Sequence, residues 1–148
     1  MLRPSRLVAL SFAIAFCSGC RDTGPTLYDV EGTVLLKGKP LEKVRVEFWP
    51  TVEGPQSEAL TDDQGRFSLK LSDGVTKGAV AGKHKVVLKD VSIYTGQFMG
   101  RSGADVDMAK GQKPRIASTY TNVTMTPLEA DITAEQKDLK FEVQPFKR

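Results

Sequence analysis

Short runs in which apolar and polar residues alternate one for one recur from Tyr28 to Val143, and no stretch of any length shows helical spacing. The clearest run is Arg66-Phe67-Ser68-Leu69-Lys70-Leu71. In a strand this period places Phe67, Leu69 and Leu71 on one face and Arg66, Ser68 and Lys70 on the other. The preceding Asp62-Asp63-Gln64-Gly65 has Asp first and Gly fourth, the preference of a type I turn that closes on a left-handed glycine and starts a bulged hairpin.

The remaining runs can be laid out around that hairpin. Tyr28 to Lys37 carries Val30, Val34 and Leu36 on one face of Gly32, with Glu31, Thr33 and Leu35 on the other. Gly38 and Pro40 break it. Val44 to Trp49 places Val44, Val46 and Phe48 inward and Arg45, Glu47 and Trp49 outward, and Pro50 stops it because proline cannot donate to a ladder. A short run from Glu58 to Thr61 leads into the turn, and His84 to Val91 follows it. Leu128 to Thr133 and Asp138 to Val143 close the chain, the latter with Leu139, Phe141 and Val143 inward. Seven short strands joined by turns predict an all-β fold, a seven-stranded antiparallel β-sandwich. Phe48, Phe67 and Phe141 are the expected central packers. Between the fifth and sixth strands, residues 90–125 form a long irregular excursion with Gly96, Gly100, Gly103, Gly111 and Pro114 and no sustained period. A connection of that length is either a surface excursion or the functional part.

Residues 1–20 have a different character. Arg3 and Arg6 precede an apolar run of about ten residues, Leu7 to Phe16, too short for a bilayer span of roughly twenty. Cys17-Ser18-Gly19-Cys20 follows, and it resembles the bacterial lipobox at Ser18, Gly19 and Cys20; Cys17 stands where leucine is commonest. The resemblance implies cleavage after Gly19 and lipidation of Cys20. Plain secretion and an uncleaved anchor are the alternatives. Residues 1–19 then form a signal peptide, residues 20–27 a short polar tether and residues 28–148 the domain. The expected location is outside the cytoplasm, lipid-anchored to a bacterial membrane and facing periplasm or cell surface.

With Arg3 and Arg6 removed, the net charge falls from +3 to about +1, which gives no concentrated basic footprint for nucleic acid. Both cysteines, Cys17 and Cys20, lie in the leader region, so the body is held by its core and not by a disulfide.

A family resemblance rests on an ordered series: Val30-Glu31-Gly32-Thr33-Val34, Gly38-Lys39-Pro40-Leu41, Val44-Arg45-Val46-Glu47-Phe48, Thr61-Asp62-Asp63-Gln64-Gly65-Arg66-Phe67 and Gly82-Lys83-His84-Lys85-Val86. The series resembles the carboxypeptidase regulatory-like domain over roughly residues 28–89. The resemblance implies a transthyretin-like, seven-stranded sandwich with no catalysis of its own. Transthyretin-related hydrolases use several histidines and a C-terminal Tyr-Arg-Gly-Ser; this chain has His84 alone and ends Gln144-Pro145-Phe146-Lys147-Arg148.

Other motifs have plainer readings. Gly78-Ala79-Val80-Ala81-Gly82-Lys83 is one residue short of a phosphate loop, and His84 replaces the hydroxyl that would hold a metal. Asp62, Asp63 and Asp73 lack the spacing of a calcium loop. A single histidine supplies neither a zinc set nor a nucleophile's base with its orienting acid, so His84 is expected as a strand residue near the rim. Asn122-Val123-Thr124 matches a glycosylation sequon, which a bacterial context makes idle. No cofactor and no metal are expected.

Trp49 shares the outward face with Arg45 and Glu47, and an exposed tryptophan stacks on sugars or docks partners. Tyr94, Phe98, Met99 and Tyr120 in the excursion are the aromatics and methionine able to extend such a surface. The leading expectation is a lipid-anchored, non-catalytic module that presents its surface to an envelope protein or polysaccharide. The alternative is a glycan-binding module built on Trp49, Tyr94 and Tyr120.

Overall fold

The computed structural model describes residues 24–94 and 112–147. Among them the chain is all-β, with eleven strand segments and two single turns of 3-10 helix. The strands are β1 (Leu27–Tyr28), β2 (Val30–Leu36), β3 (Lys39–Pro40), β4 (Val44–Pro50), β5 (Ser57–Leu60) and β6 (Arg66–Ser68). They continue with β7 (Lys70–Leu71), β8 (Ala79–Val80), β9 (Gly82–Asp90), β10 (Glu129–Ile132) and β11 (Gln136–Val143). The 3-10 turns span Val91–Ile93 and Ser118–Thr121.

One sheet runs β10-β9-β4-β5-β7 and is antiparallel throughout. The other runs β11-β2-β3, with β6 also on β2, and a small pair β1-β8 completes the set. The inner faces of the two sheets share one core, which gives a sandwich-like body. Alternation places the residues as their sequence requires: Val44, Val46 and Phe48 of β4 are fully buried, as are Val86 and Leu88 of β9. Val30, Val34, Phe67, Phe141 and Val143 meet them from the other sheet. The rings of Phe48, Phe67 and Phe141 lie 6.1 to 6.4 Å apart, centroid to centroid, in the range where aromatic pairs attract.

The turn at residues 62–65 forms as its composition predicts. Gly65 has φ +68° and donates its N–H to the Asp62 carbonyl at 2.8 Å. The Asp62 carboxylate accepts from the backbone N–H of Gln64 and of Arg66, both at 2.9 Å, and these bonds hold its pKa below the ordinary value. A Cβ at Gly65 would stand 2.7 Å from the Val34 carbonyl oxygen, so space and backbone conformation both demand glycine. Gly32 is needed for a different reason: a Cβ there would meet the Phe67 ring at 2.6 Å and the Leu139 carbonyl oxygen at 2.5 Å.

Three expectations change. The run from Arg66 to Leu71 is two strands, not one, with β6 in one sheet and β7 in the other. Leu69 sits at the corner, where its N–H bonds the Val30 carbonyl at 2.9 Å. Phe67 and Leu69 face the same core from two sheets, so the alternation passes through the corner without a visible break. This split, that of the first run into β1 and β2, and the two-residue strands β3 and β8 in stretches read as turns raise the count from seven strands to eleven. The sandwich is also not wholly antiparallel: β11 pairs with β2 in parallel, Phe141 opposite Val34 and Val143 opposite Leu36. Periodicity fixes which face is buried but not the direction of the neighbour. Because β10 and β11 belong to different sheets, the turn between them crosses the body and β11 need not form a hairpin with β10.

The third change concerns residues 90–125. Residues 112–125 are not a detached loop. Ile116 and Tyr120 are buried in the core, and Arg115 and Ala117 exchange backbone hydrogen bonds with Phe146 and Gln144, each at 3.1 Å.

The strand directions define two ends. The tether end holds β1, the 51–56 connection, the 72–78 connection and the start of β9. The clamp end holds the 62–65 turn, the end of β9 and the return at Arg115.

Candidate functional site

The outward face of β4 and β9 gathers the charged residues that alternation left outside the core. Register places Arg45 beside Lys89, Glu47 beside Val87 and Trp49 beside Lys85. On the other flank Glu47 faces Glu58. Glu47 is only 3% exposed, although its face is the outer one. Its carboxylate is covered by its own partners: Lys89 Nζ donates to Oε1 and Oε2 at 2.8 and 3.0 Å, and Trp49 Nε1 donates to Oε2 at 3.1 Å. Arg45 Nε lies 3.4 Å from Oε1, and the Arg45 guanidinium also bonds Glu58. With both oxygens engaged by cations and an indole, Glu47 is a fixed strut on this face and not a free base.

Trp49 is 37% exposed. Its N–H is turned along the sheet to Glu47, which leaves part of the ring to solvent. The other two residues of the expected aromatic surface do not join it. Tyr120 is 6% exposed and packs in the core, and its hydroxyl accepts the N–H of Gln144 at 3.2 Å. The expectation of Tyr120 as a surface contact is therefore wrong: it is an interior residue whose polar tip satisfies a strand end. Tyr94 is half-buried beyond the end of β9. Because Trp49 pairs with Lys85 and Val44 with Asp90, the end of β9 that leads to Tyr94 lies five residues of strand from Trp49's partner, about 17 Å. Phe98 and Met99 lie outside the described residues, as do Cys17, Gly19 and Cys20.

At the clamp end a second charged group closes the base of the excursion. Asp90 is 4% exposed, and its carboxylate takes hydrogen bonds from Arg115 Nε at 2.9 Å, Arg115 Nη2 at 2.7 Å and the Arg115 backbone N–H at 2.9 Å. Ser92 Oγ donates to Oδ1 at 2.6 Å. Arg115 Nη2 also donates to the Glu42 carbonyl at 2.7 Å. Burial works against the Asp90 charge, but the Arg115 and Ser92 hydrogen bonds and the guanidinium charge outweigh it and hold the pKa below the usual carboxylate range. Beside the clamp a groove of about 280 Å³ is lined by Ile93, Tyr94, Pro114 and Ile116, among others. This pairing was hidden in the sequence, because the two residues are 25 apart and no local pattern joins them.

His84 departs from its expected place at the rim. It is 1% exposed, with its ring 5.7 Å from that of Phe48. Nδ1 donates to the Gly82 carbonyl at 2.9 Å, and Nε2 has no partner among the described residues. Burial pushes the imidazole pKa down, against the opposing pull of the Gly82 bond and the Asp131 charge. Elsewhere, Asp73 is occupied within its own turn by Val75 N–H, Thr76 N–H and Thr76 Oγ1. The glycine-bounded run 78–83 is β8 and the start of β9, not a loop before a helix.

The fold and these clusters define an all-β, sandwich-like domain whose described ionic groups tie strands and loops to one another. A family model described as a domain of unknown function (DUF6795) matches residues 30–98. It covers β2 through β9. No curated protein and no solved structure matched the chain.

Proposed function

We propose that the protein is a lipid-anchored, non-catalytic envelope module, held to a bacterial membrane through Cys20 and offering its sandwich surface to other envelope components. The observation that carries the reading is the order of a charged start, a short apolar run and Ser18-Gly19-Cys20, placed seven residues ahead of the first strand. That spacing leaves only a short tether between a lipid-bearing cysteine and the folded body. Two acyl chains or more on one cysteine give stable attachment, whereas a single chain gives only marginal binding.

Further support comes from what the polar groups do. Glu47 and Asp90 hold cations that tie adjacent elements, and His84 is enclosed against Phe48. We read the body as a transthyretin-like sandwich of the carboxypeptidase regulatory-like kind, on the sequence series between residues 28 and 89. Labelling cells with radioactive palmitate tests the anchor: wild type takes up label and Cys20→Ser does not. Equal labelling of the two would remove the anchor.

The part-exposed Trp49 ring favours one second reading, a glycan contact centred on this residue and without Tyr120. A glycan array separates the two readings. A hit that disappears in Trp49→Ala supports the glycan contact, and silence supports the module without it.

A further inference from the structure

The tether end is where the chain arrives from Cys20. Leu27 pairs with Val80, and the Ala81 N–H bonds the Thr26 carbonyl at 2.8 Å, so the first strand is fastened to β8, immediately ahead of β9. Six residues separate Cys20 from Leu27, and the seven Cα–Cα steps reach no more than about 25 Å at full extension. β9 alone is nine residues, about 30 Å long. A body anchored at Cys20 therefore keeps its tether end near the bilayer, while the clamp end is free to stand a full strand length further out.

The loops at that end carry unusual surface. Among the described residues, the two most exposed large hydrophobic side chains are Val75, at 80%, and Val52, at 61%. Val52 lies in the connection after β4, which is held to β9 by the Thr51 N–H and hydroxyl on the Lys83 carbonyl, at 2.9 and 3.0 Å. Val75 crowns the loop after β7. That loop is braced by Asp73 on Val75 N–H and Thr76 N–H, and by Ser72 N–H on the Gln56 carbonyl at 2.9 Å. Both loops are thus stiffened by hydrogen bonds at their bases while they expose a branched apolar residue. Trp49 is three residues before Val52 and part-exposed. Tryptophan is the residue type enriched where headgroups meet hydrocarbon.

We infer that this end is a membrane-contacting surface: Val52 and Val75 insert shallowly into a phospholipid bilayer, with Trp49 at headgroup level, and set the orientation of the anchored body. The inference rests on the Cys20 anchor proposed above. The ligand is the lipid surface itself and not an acidic headgroup, because the charges around these loops have both signs. Register sets Asp131 opposite Lys83, Lys137 Nζ lies 2.9 Å from Glu135, and Lys77, Asp73 and Glu53 belong to the two loops themselves. Contact should accordingly be as strong on zwitterionic as on anionic lipid, unlike adsorption by a basic patch.

The processed, anchored protein in phosphatidylcholine vesicles supplies the test. Trp49 is the single tryptophan, so its emission reports on this end without a label. Cleavage after Gly19 and lipidation of Cys20 would leave no free thiol, so Val52→Cys, Val75→Cys and Gln64→Cys each accept one fluorophore. The expected result is that lipid-borne quenchers act several-fold more strongly on probes at 52 and 75 than on the probe at 64. Trp49 quenching should fall at least twofold in the Val52→Asp/Val75→Asp double variant. Added anionic lipid should leave both results unchanged. Equal quenching at all three sites in protein whose mass includes the lipid would overturn the orientation and leave the anchor standing. Protein whose mass shows no lipid on Cys20 would overturn both.

Discussion

At the clamp end of the two sheets a charge is buried and fully met, whereas at the tether end apolar side chains stand in water on loops braced by local hydrogen bonds. Asp90 gives up its water for a guanidinium, a hydroxyl and backbone donors, which is tolerable only because almost every lone pair finds a partner. Val75 and Val52 are 80% and 61% exposed, so the fold gains little from them. The contrast separates residues that hold the body together from residues that are better explained by a neighbour outside it.

Substitution should reproduce that contrast. Arg115→Met leaves Asp90 buried without its cation and should cost about 3–5 kcal/mol in urea unfolding. Asp90→Asn with Arg115→Met should recover part of that loss, and a single-variant cost under about 1 kcal/mol would mean the clamp holds nothing. Thr61→Val comes next. The Thr61 hydroxyl donates to the Leu41 carbonyl at 2.8 Å and accepts from Val44 N–H at 2.9 Å, both buried. Leaving those two backbone groups without that partner should cost about 1–3 kcal/mol.

Acid should act on His84 and Asp90, two buried groups with displaced pKa values, in separate windows. His84 has a folded pKa below 6.5, so the unfolded chain takes up the proton first. Stability is complete above that value and declines as pH falls from about 6.5 toward the folded pKa. Asp90 has a folded pKa below 3.8, so its contribution is present above that value and is lost as pH falls through the folded pKa. Unfolding followed against pH should therefore show an early decline that is absent in His84→Leu and a late one that is reduced in Asp90→Asn, the remainder belonging to Asp62, Asp73 and Glu129, whose pKa values are also held low. The smallest effect belongs to the tether end, where Val52→Asp and Val75→Asp should each change stability by no more than about 0.5 kcal/mol. A larger loss would mean that these residues serve the fold after all.

How much of this was legible in the sequence follows from the same physics. Alternation is local, so the inward faces of β4 and β11 could be read off, and so could the turn closed by Asp62 and Gly65. Pairing is not local. Nothing in Gln136 to Val143 announces a parallel neighbour, and nothing between Phe67 and Leu69 marks the change of sheet. Burial without periodicity was equally hidden. Tyr120 lies in a turn-rich stretch and reads as a surface aromatic, yet its ring fills the core. Glu47 is outward by period and buried by its neighbours, because Lys89, Arg45 and Trp49 converge on it from positions fixed only once β4 and β9 are in register. At the candidate surface, Trp49 kept its place, while the separation of Trp49 from Tyr94 depended on that same register.

The proposed anchor and the orientation that follows from it depend most on the residue at which the processed chain begins. Intact-mass analysis of the protein purified from its native membrane should find a polypeptide that starts at Cys20 and carries the added mass of its acyl chains. A chain that starts at Met1, or at an unmodified Cys20, would contradict both.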